Sequence, residues 1–167
     1  MRSSVDPFHL APMAREVLIY CELEQLQFDD VEVAAFFTAL DELYAGPQGL
    51  LSVAFLRDDT LREIHAEFLR DKESTDVITF PGDIVENFAG EICVSVDYAA
   101  TYAEIHGKNF AEELTLYLVH GWLHLCGLDD IEFEDITRMR LAEERSITFL
   151  KSHCLMPNFV IGEKSTS

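Results

Sequence analysis

The amino-acid sequence predicts an α+β single domain, a small four-stranded sheet packed with about five helices. Three observations lead there. Four short apolar runs, "REVLIYCEL", "GLLSVAFL", "TDVITFP" and "GEICVSV", have strand length and are bounded by charged or turn residues. Apolar residues recur at helical spacing before, between and after them. The 167 residues contain no repeat, low-complexity tract or convincing linker, and a chain of that length buries one sizeable core.

Residues 1–14 read as a flexible leader, and "MRSSVDPFHLAPMAR" lacks the continuous apolar core of a signal peptide. The domain is expected over 15–155. Arg15–Leu23 forms the first strand. Asp29 and Asp30 can N-cap a helix over "VEVAAFFTALDELYAG", which Gly46-Pro47 stops. "GLLSVAFL" is the second strand, and Asp58 or Asp59 caps a short helix over "TLREIHAEFL". Two β-branched strands follow, "TDVITFP" and "GEICVSV", joined by the acidic, Gly-containing "GDIVENFAG". The texture then turns helical. "DYAATYAEIH" ends at Gly107, "NFAEELTLYLVHGWLHLCG" runs from an Asn109 cap to a glycine stop, and the amphipathic "EFEDITRMRLAEERSITFLK" closes the core. Residues 156–167 form a C-terminal tail ending in the polar "GEKSTS".

Bulk composition narrows the function classes. The chain is 49% hydrophobic and 26% charged, ordinary for a soluble globular protein. No apolar stretch approaches the roughly 20 residues that span a bilayer. Cys21, Cys93, Cys126 and Cys154 form no CxxC pair, so neither a disulfide framework nor a cysteine zinc ribbon is expected. Reduced thiols and a cytoplasmic location are the expectation. With 12 Lys+Arg against 31 Asp+Glu the net charge is −19. That surface repels phosphate, and unaided high-affinity binding of nucleic acid is disfavoured unless a local basic patch, a metal ion or a partner protein intervenes.

The chemistry concentrates in "LTLYLVHGWLHLCGLDD". His120 and His124 are four apart, so both imidazoles lie on one helix face and can pinch a metal ion. The spacing follows the extended zincin signature H-E-x-x-H-x-x-G-x-x-H. Gly127 can adopt the left-handed conformation that turns the chain back, bringing Asp130 to the same ion, with Asp129 as the alternative that breaks the spacing. Two histidines and a carboxylate form a known catalytic zinc set with a fourth place left open. Gly121 occupies the position of the protease's glutamate base, which weakens a peptidase reading. A bare H-x3-H pair is also compatible with two hydrogen-bonded core histidines. Tyr117 and Trp122 read as packing residues, and His65, His106 and His153 have no ligand partner at helical spacing.

The motif around His120, together with "FLRDKESTDVITFP", "GEICVSV" and "EDITRMRLAEE", resembles the YbeY family of bacterial rRNA-maturation endoribonucleases. The resemblance runs from about His65 to Lys151. It implies a small α+β domain, one zinc ion, and single-stranded rRNA cleaved in ribosome maturation and quality control, with ribosomal proteins as partners. The family's three ligand histidines fall on His120, His124 and Asp130. Its active-site arginine falls at Leu69 in strict alignment, with Arg70 one place later as the residue able to hold a phosphate. Ser74, Thr75 and Asp76 are expected to start a strand, and Glu91 to be architectural. Two rival functions remain from the sequence: a ribosome-assembly binding factor with a structural metal, and a metallopeptidase.

Overall fold

A computed structural model describes residues 14–69 and 75–162. The expected leader lies outside the described residues except for Ala14, as do Arg70, Ser74 and residues 163–167 of the tail. The elements are β1 (Val17–Cys21), β2 (Leu26–Gln27), α1 (Asp30–Leu43), β3 (Leu50–Leu56), α2 (Asp58–Leu69), β4 (Val77–Asp83) and β5 (Phe88–Ser95), followed by α3 (Val96–His106), α4 (Phe110–Leu125), α5 (Phe133–Ser152) and β6 (Val160–Ile161). The α+β expectation holds: five helices accompany a four-stranded sheet ordered β1-β3-β5-β4.

The sheet is mixed. β1, β3 and β5 run parallel, and β4 returns antiparallel along β5. Parallel neighbours need a crossover rather than a hairpin, and α1 provides it between β1 and β3. Side chains alternate between faces along each strand. Leu51, Val53 and Phe55 of β3, with Ile92 and Val94 of β5, enter the main core shared with α1, α4 and α5. On the opposite face Ala54, Leu56, Ile78 and Cys93 meet Leu61 and Ile64 of α2 in a smaller core.

Several boundaries differ from the sequence reading, each for a physical reason. Helix α1, capped by the Asp29 carboxylate on Val31 N–H, ends at Leu43 rather than at Gly46. Gly46 instead serves a close approach, because a Cβ there would lie 2.1 Å from Trp122 Cζ2. Helix α2 starts at Asp58, so Asp58 and Asp59 both sit in its first turn, where negative charge favours the helix dipole. Pro81 does not end β4 but lies inside it, opposite Gly90. This is tolerated because, among the described residues, β4 is an edge strand whose outer side has no ladder to complete.

Strands β2 and β6 form a two-residue antiparallel ribbon, too short to show a periodic pattern. Through it the segment after residue 155 packs on the domain. Phe159 is buried, with its ring centroid 5.5 Å from that of Phe55. At the centre, Trp122 is fully buried, and the Arg15 guanidinium lies 4.7 Å from its ring centroid. Arg15 also makes two 2.8 Å hydrogen bonds to the Asp41 carboxylate, a bidentate pair that anchors the start of β1 to α1.

Candidate metal centre

Helix α4 carries the candidate site at its C-terminal end. Asn109 caps its start by accepting from Glu112 N–H at 3.0 Å, as the sequence predicts. Its inward face, including Glu113, Tyr117, Leu118, Gly121 and Trp122, is buried. Gly121 is needed for that packing. A Cβ there would stand 2.7 Å from Ile92 Cγ2 and 3.2 Å from Thr79 and Val77 methyls. The position where a zincin protease carries its base therefore faces the sheet rather than a substrate cleft. His120 and His124 lie at the margin of this face, with side chains 19% and 25% exposed.

The helix ends in a Schellman arrangement. Leu128 N–H donates to Leu123 carbonyl at 3.0 Å, and Gly127 N–H to His124 carbonyl at 2.9 Å. Gly127 takes φ +96°, a conformation L side chains rarely adopt. The chain reverses there and returns Asp130 to the histidines. Among the described residues, His120, His124 and Asp130 are the group whose donor atoms converge, all within 4.8 Å of one another. His120 Nε2 lies 2.9 Å from His124 Nε2 and 3.3 Å from Asp130 Oδ2, while His124 Nε2 lies 3.6 Å from Asp130 Oδ1. A tetrahedral zinc ion with ligands at about 2.0–2.2 Å requires donors about 3.3–3.6 Å apart. The donor set fits such an ion in type; the two carboxylate distances fall in that range, each to a different oxygen, while the 2.9 Å between the imidazole nitrogens is shorter than a bound ion would set. The Asp129 carboxylate instead accepts its neighbour Asp130's N–H at 2.8 Å.

Each imidazole is held from behind. The Nδ1 of His120 lies 2.6 Å from Glu143 Oε1 on α5, and the Nδ1 of His124 lies 3.0 Å from the Leu128 carbonyl oxygen. With Nδ1 donating to those acceptors, both Nε2 atoms are left to face each other and Asp130. Burial pulls the His120 pKa down, but the Glu143 hydrogen bond and the nearby charges of Glu143, Asp76 and Asp130 outweigh it and leave it raised. The carboxylate field that favours a proton on His120 favours a cation in the same place.

Other residues fall where packing needs them. Tyr117 and Trp122 are buried. Asp76 accepts from Val77 N–H at 2.9 Å, fixing the start of β4, while its charge reaches His120. Glu91 accepts from Ser52 Oγ at 3.1 Å, tying β5 to β3. His106 stacks on Tyr102, and His153 lies against Phe149. Arg70 lies outside the described residues. Sequence reasoning passed over Glu143 and Leu128. For Glu143 a signal was present: it stands four residues after Met139, on the stripe where α5 buries Met139, Ala142, Ser146 and Leu150, and a carboxylate on a buried stripe needs a partner.

Comparison with known proteins gives concordant results. The family model described as "Endoribonuclease YbeY" matches residues 19–151. A relative from Protochlamydia amoebophila named endoribonuclease YbeY is 42% identical over 105 residues, covering 60% of this chain and 70% of its own. One of the same name from Parabacteroides distasonis is 30% identical over 122 residues, covering 73% and 86%. One from Sinorhizobium fredii is 34% identical over 137 residues, covering 77% and 79%. The solution structure of TM1509 from Thermotoga maritima has the same fold, with a TM-score of 0.55 at 21% identity, covering 90% of this chain and 99% of that one. The matched span reaches from within β1 almost to the end of α5 and takes in His120, His124, Asp130 and Glu143. With the sheet and helices that hold those residues included, the chain belongs to the YbeY family of endoribonucleases.

Proposed function

We propose that the chain is a zinc-dependent endoribonuclease that cuts single-stranded rRNA during ribosome maturation and quality control, in the cytoplasm. The observation that carries this reading is the convergence of His120, His124 and Asp130, whose donor atoms lie within 4.8 Å of one another and are of the types that bind zinc. The Asp130 side chain is 40% exposed, so solvent and substrate have an approach from that side. Among the described residues the cluster contains three donors, the number typical of a catalytic site.

A divalent ion held there would polarise a phosphodiester oxygen as a Lewis acid and stabilise the charge that develops on it. The chain's own part is preorganisation. The Leu128 carbonyl backs the His124 ring, and the Gly127 bend delivers the carboxylate. Arg70 is assigned the role of steadying the phosphate, because a guanidinium matches its oxygens in a bidentate fork.

The net charge of −19 explains why such an enzyme would act on RNA presented by basic ribosomal proteins rather than capture it alone. Binding to naked RNA is expected to be weak. A tight, independent complex with a steep salt dependence would contradict this part. The reaction itself is tested by incubating unstructured RNA and a peptide with the zinc-loaded chain and with its His120→Ala variant, with and without chelator. Zinc-dependent RNA cleavage lost in the variant is expected, with the peptide intact. Cleavage that survives both chelator and substitution would overturn the reading.

A further inference from the structure

One carboxylate near the site has no part in holding an ion directly. Glu143 lies on α5, its side chain 13% exposed, with Oε1 2.6 Å from His120 Nδ1. Nδ1 and Nε2 stand on opposite sides of an imidazole ring, so Glu143 sits behind the ring while the cluster of His124 and Asp130 lies in front of it. It is not among the converging donors. An acid this enclosed is costly to leave unpartnered, and His120 is the hydrogen-bond partner the structure gives it.

We propose that Glu143 is a positioning residue for the metal centre: by accepting the Nδ1 proton of His120 it holds the ring with a bare Nε2 toward the ion and strengthens that nitrogen as a donor. The inference rests on the reading of His120, His124 and Asp130 as a metal site. Two features of this chain make the carboxylate matter. Neutral imidazole can bind a metal through either nitrogen, and because Nε2 is the atom of His120 that faces His124 and Asp130, binding here needs the tautomer with its proton on Nδ1. The bond also spans 23 residues and joins α4 to α5, so the orientation of His120 is coupled to the docking of the last helix. Among the described residues, the partner of His124 Nδ1 is a backbone carbonyl, a weaker acceptor than an ionised carboxylate. The two rings are thus supported unequally, and His120 is the one whose orientation a single side-chain substitution can release.

The test uses the full chain, stripped of metal and titrated with zinc against a competing chelator, for the wild type, Glu143→Gln, Glu143→Leu, and Glu144→Gln as an exposed control on the same helix. Glu143→Gln keeps the shape and removes the charge; Glu143→Leu removes the acceptor. Zinc affinity is expected to fall roughly 10–100-fold in both Glu143 variants and to stay unchanged in the control. Independently of metal, long-range nitrogen–proton correlation spectra of the zinc-free protein, recorded above the titration of the ring, should show His120 protonated on Nδ1 in the wild type. In Glu143→Leu that preference should be lost. Glu143 variants that bind zinc as the wild type does, with the tautomer unmoved, would overturn the proposal and leave the metal site standing. A wild type that binds no zinc would overturn the site itself.

Discussion

The Nδ1 of His124 donates to the carbonyl oxygen of Leu128 at 3.0 Å, so the turn that ends the helix also orients one of the helix's own histidines. The bond closes because the chain reverses at Gly127, whose φ is +96°. A Cβ at that position would meet nothing within 4 Å, so the need for glycine is conformational and not steric. Gly127→Ala is therefore expected to cost about 1–2 kcal/mol of stability through backbone strain alone. It should also weaken zinc binding, since both Leu128 and Asp130 shift with the turn. Thermal melts and chelator competition measure the two effects. Gly127→Asn should lose less, because asparagine tolerates positive φ better. Equal losses for Ala and Asn would place the requirement elsewhere.

Asp130 puts one negative charge into the proposed ligand set. Asp130→Ala removes a donor, and elemental analysis after dialysis is expected to find it depleted of zinc beside a loaded wild type. Asp130→His restores a donor without the charge and should retain metal. Three neutral imidazoles leave the ion more electrophilic than two imidazoles and a carboxylate. The rising limb of the pH–rate profile is then expected at lower pH in Asp130→His than in the wild type. Superimposable profiles would show that the carboxylate does not tune the centre.

Much of this fold and site was legible in sequence because its signals are local. The four strands, the Asn109 cap and the 3.6-residue periodicity of α4 each lie within a short window, and the His120, His124, Gly127 and Asp130 spacing is read along one continuous stretch. What escaped depends on tertiary contacts. The β2–β6 ribbon pairs residues more than 130 positions apart, with no pattern in either two-residue strand. Gly46 lies against Trp122, an approach that no local rule encodes. The place of Glu143 on the buried stripe of α5 marks it as a carboxylate in need of a partner, but that the partner is His120 follows only from the docking of α5 on α4.

Gly121 tests why the helix position used by metalloproteases is vacant here. A methyl group would contact Ile92 Cγ2 at 2.7 Å, closer than packed carbons allow. Gly121→Ala is expected to destabilise the fold by about 1–3 kcal/mol, because α4 must lift from β4 and β5 or Ile92 must change rotamer. The histidines one residue before and three after would move with it, so zinc affinity should fall too. Gly121→Glu is expected to yield no peptidase, as its carboxylate would be directed at the sheet; urea melts and a peptide-cleavage assay check both. An unchanged melting midpoint in Gly121→Ala would mean the contact relaxes freely.

Two thiols, buried Cys93 and half-buried Cys126, predict how stability responds to alkali. Burial pushes Cys93 and Cys126 from an ordinary 9.0 up to about 12, with Glu91 adding to the first and Asp41 to the second, where Arg15 partly offsets it. The folded state therefore favours the neutral thiol, while in the unfolded chain the same thiols ionise near 9.0. Their contribution to stability is fully present below that pH and is lost as pH rises toward about 12. The Tyr117 phenol, raised chiefly by burial and then by Glu113, acts in the same direction. Urea midpoints measured between roughly pH 8 and 10.5 should decline, and the decline should be shallower in a Cys93→Ala/Cys126→Ala variant even if its absolute stability is lower. The same argument orders the reactivity of the thiols, since the thiolate is the nucleophile. Exposed Cys154 should be alkylated first in the native protein, and Cys93 only on unfolding. Prompt native-state labelling of Cys93 would mean that the small core beneath α2 opens readily, and the alkaline decline would then have to come from other groups.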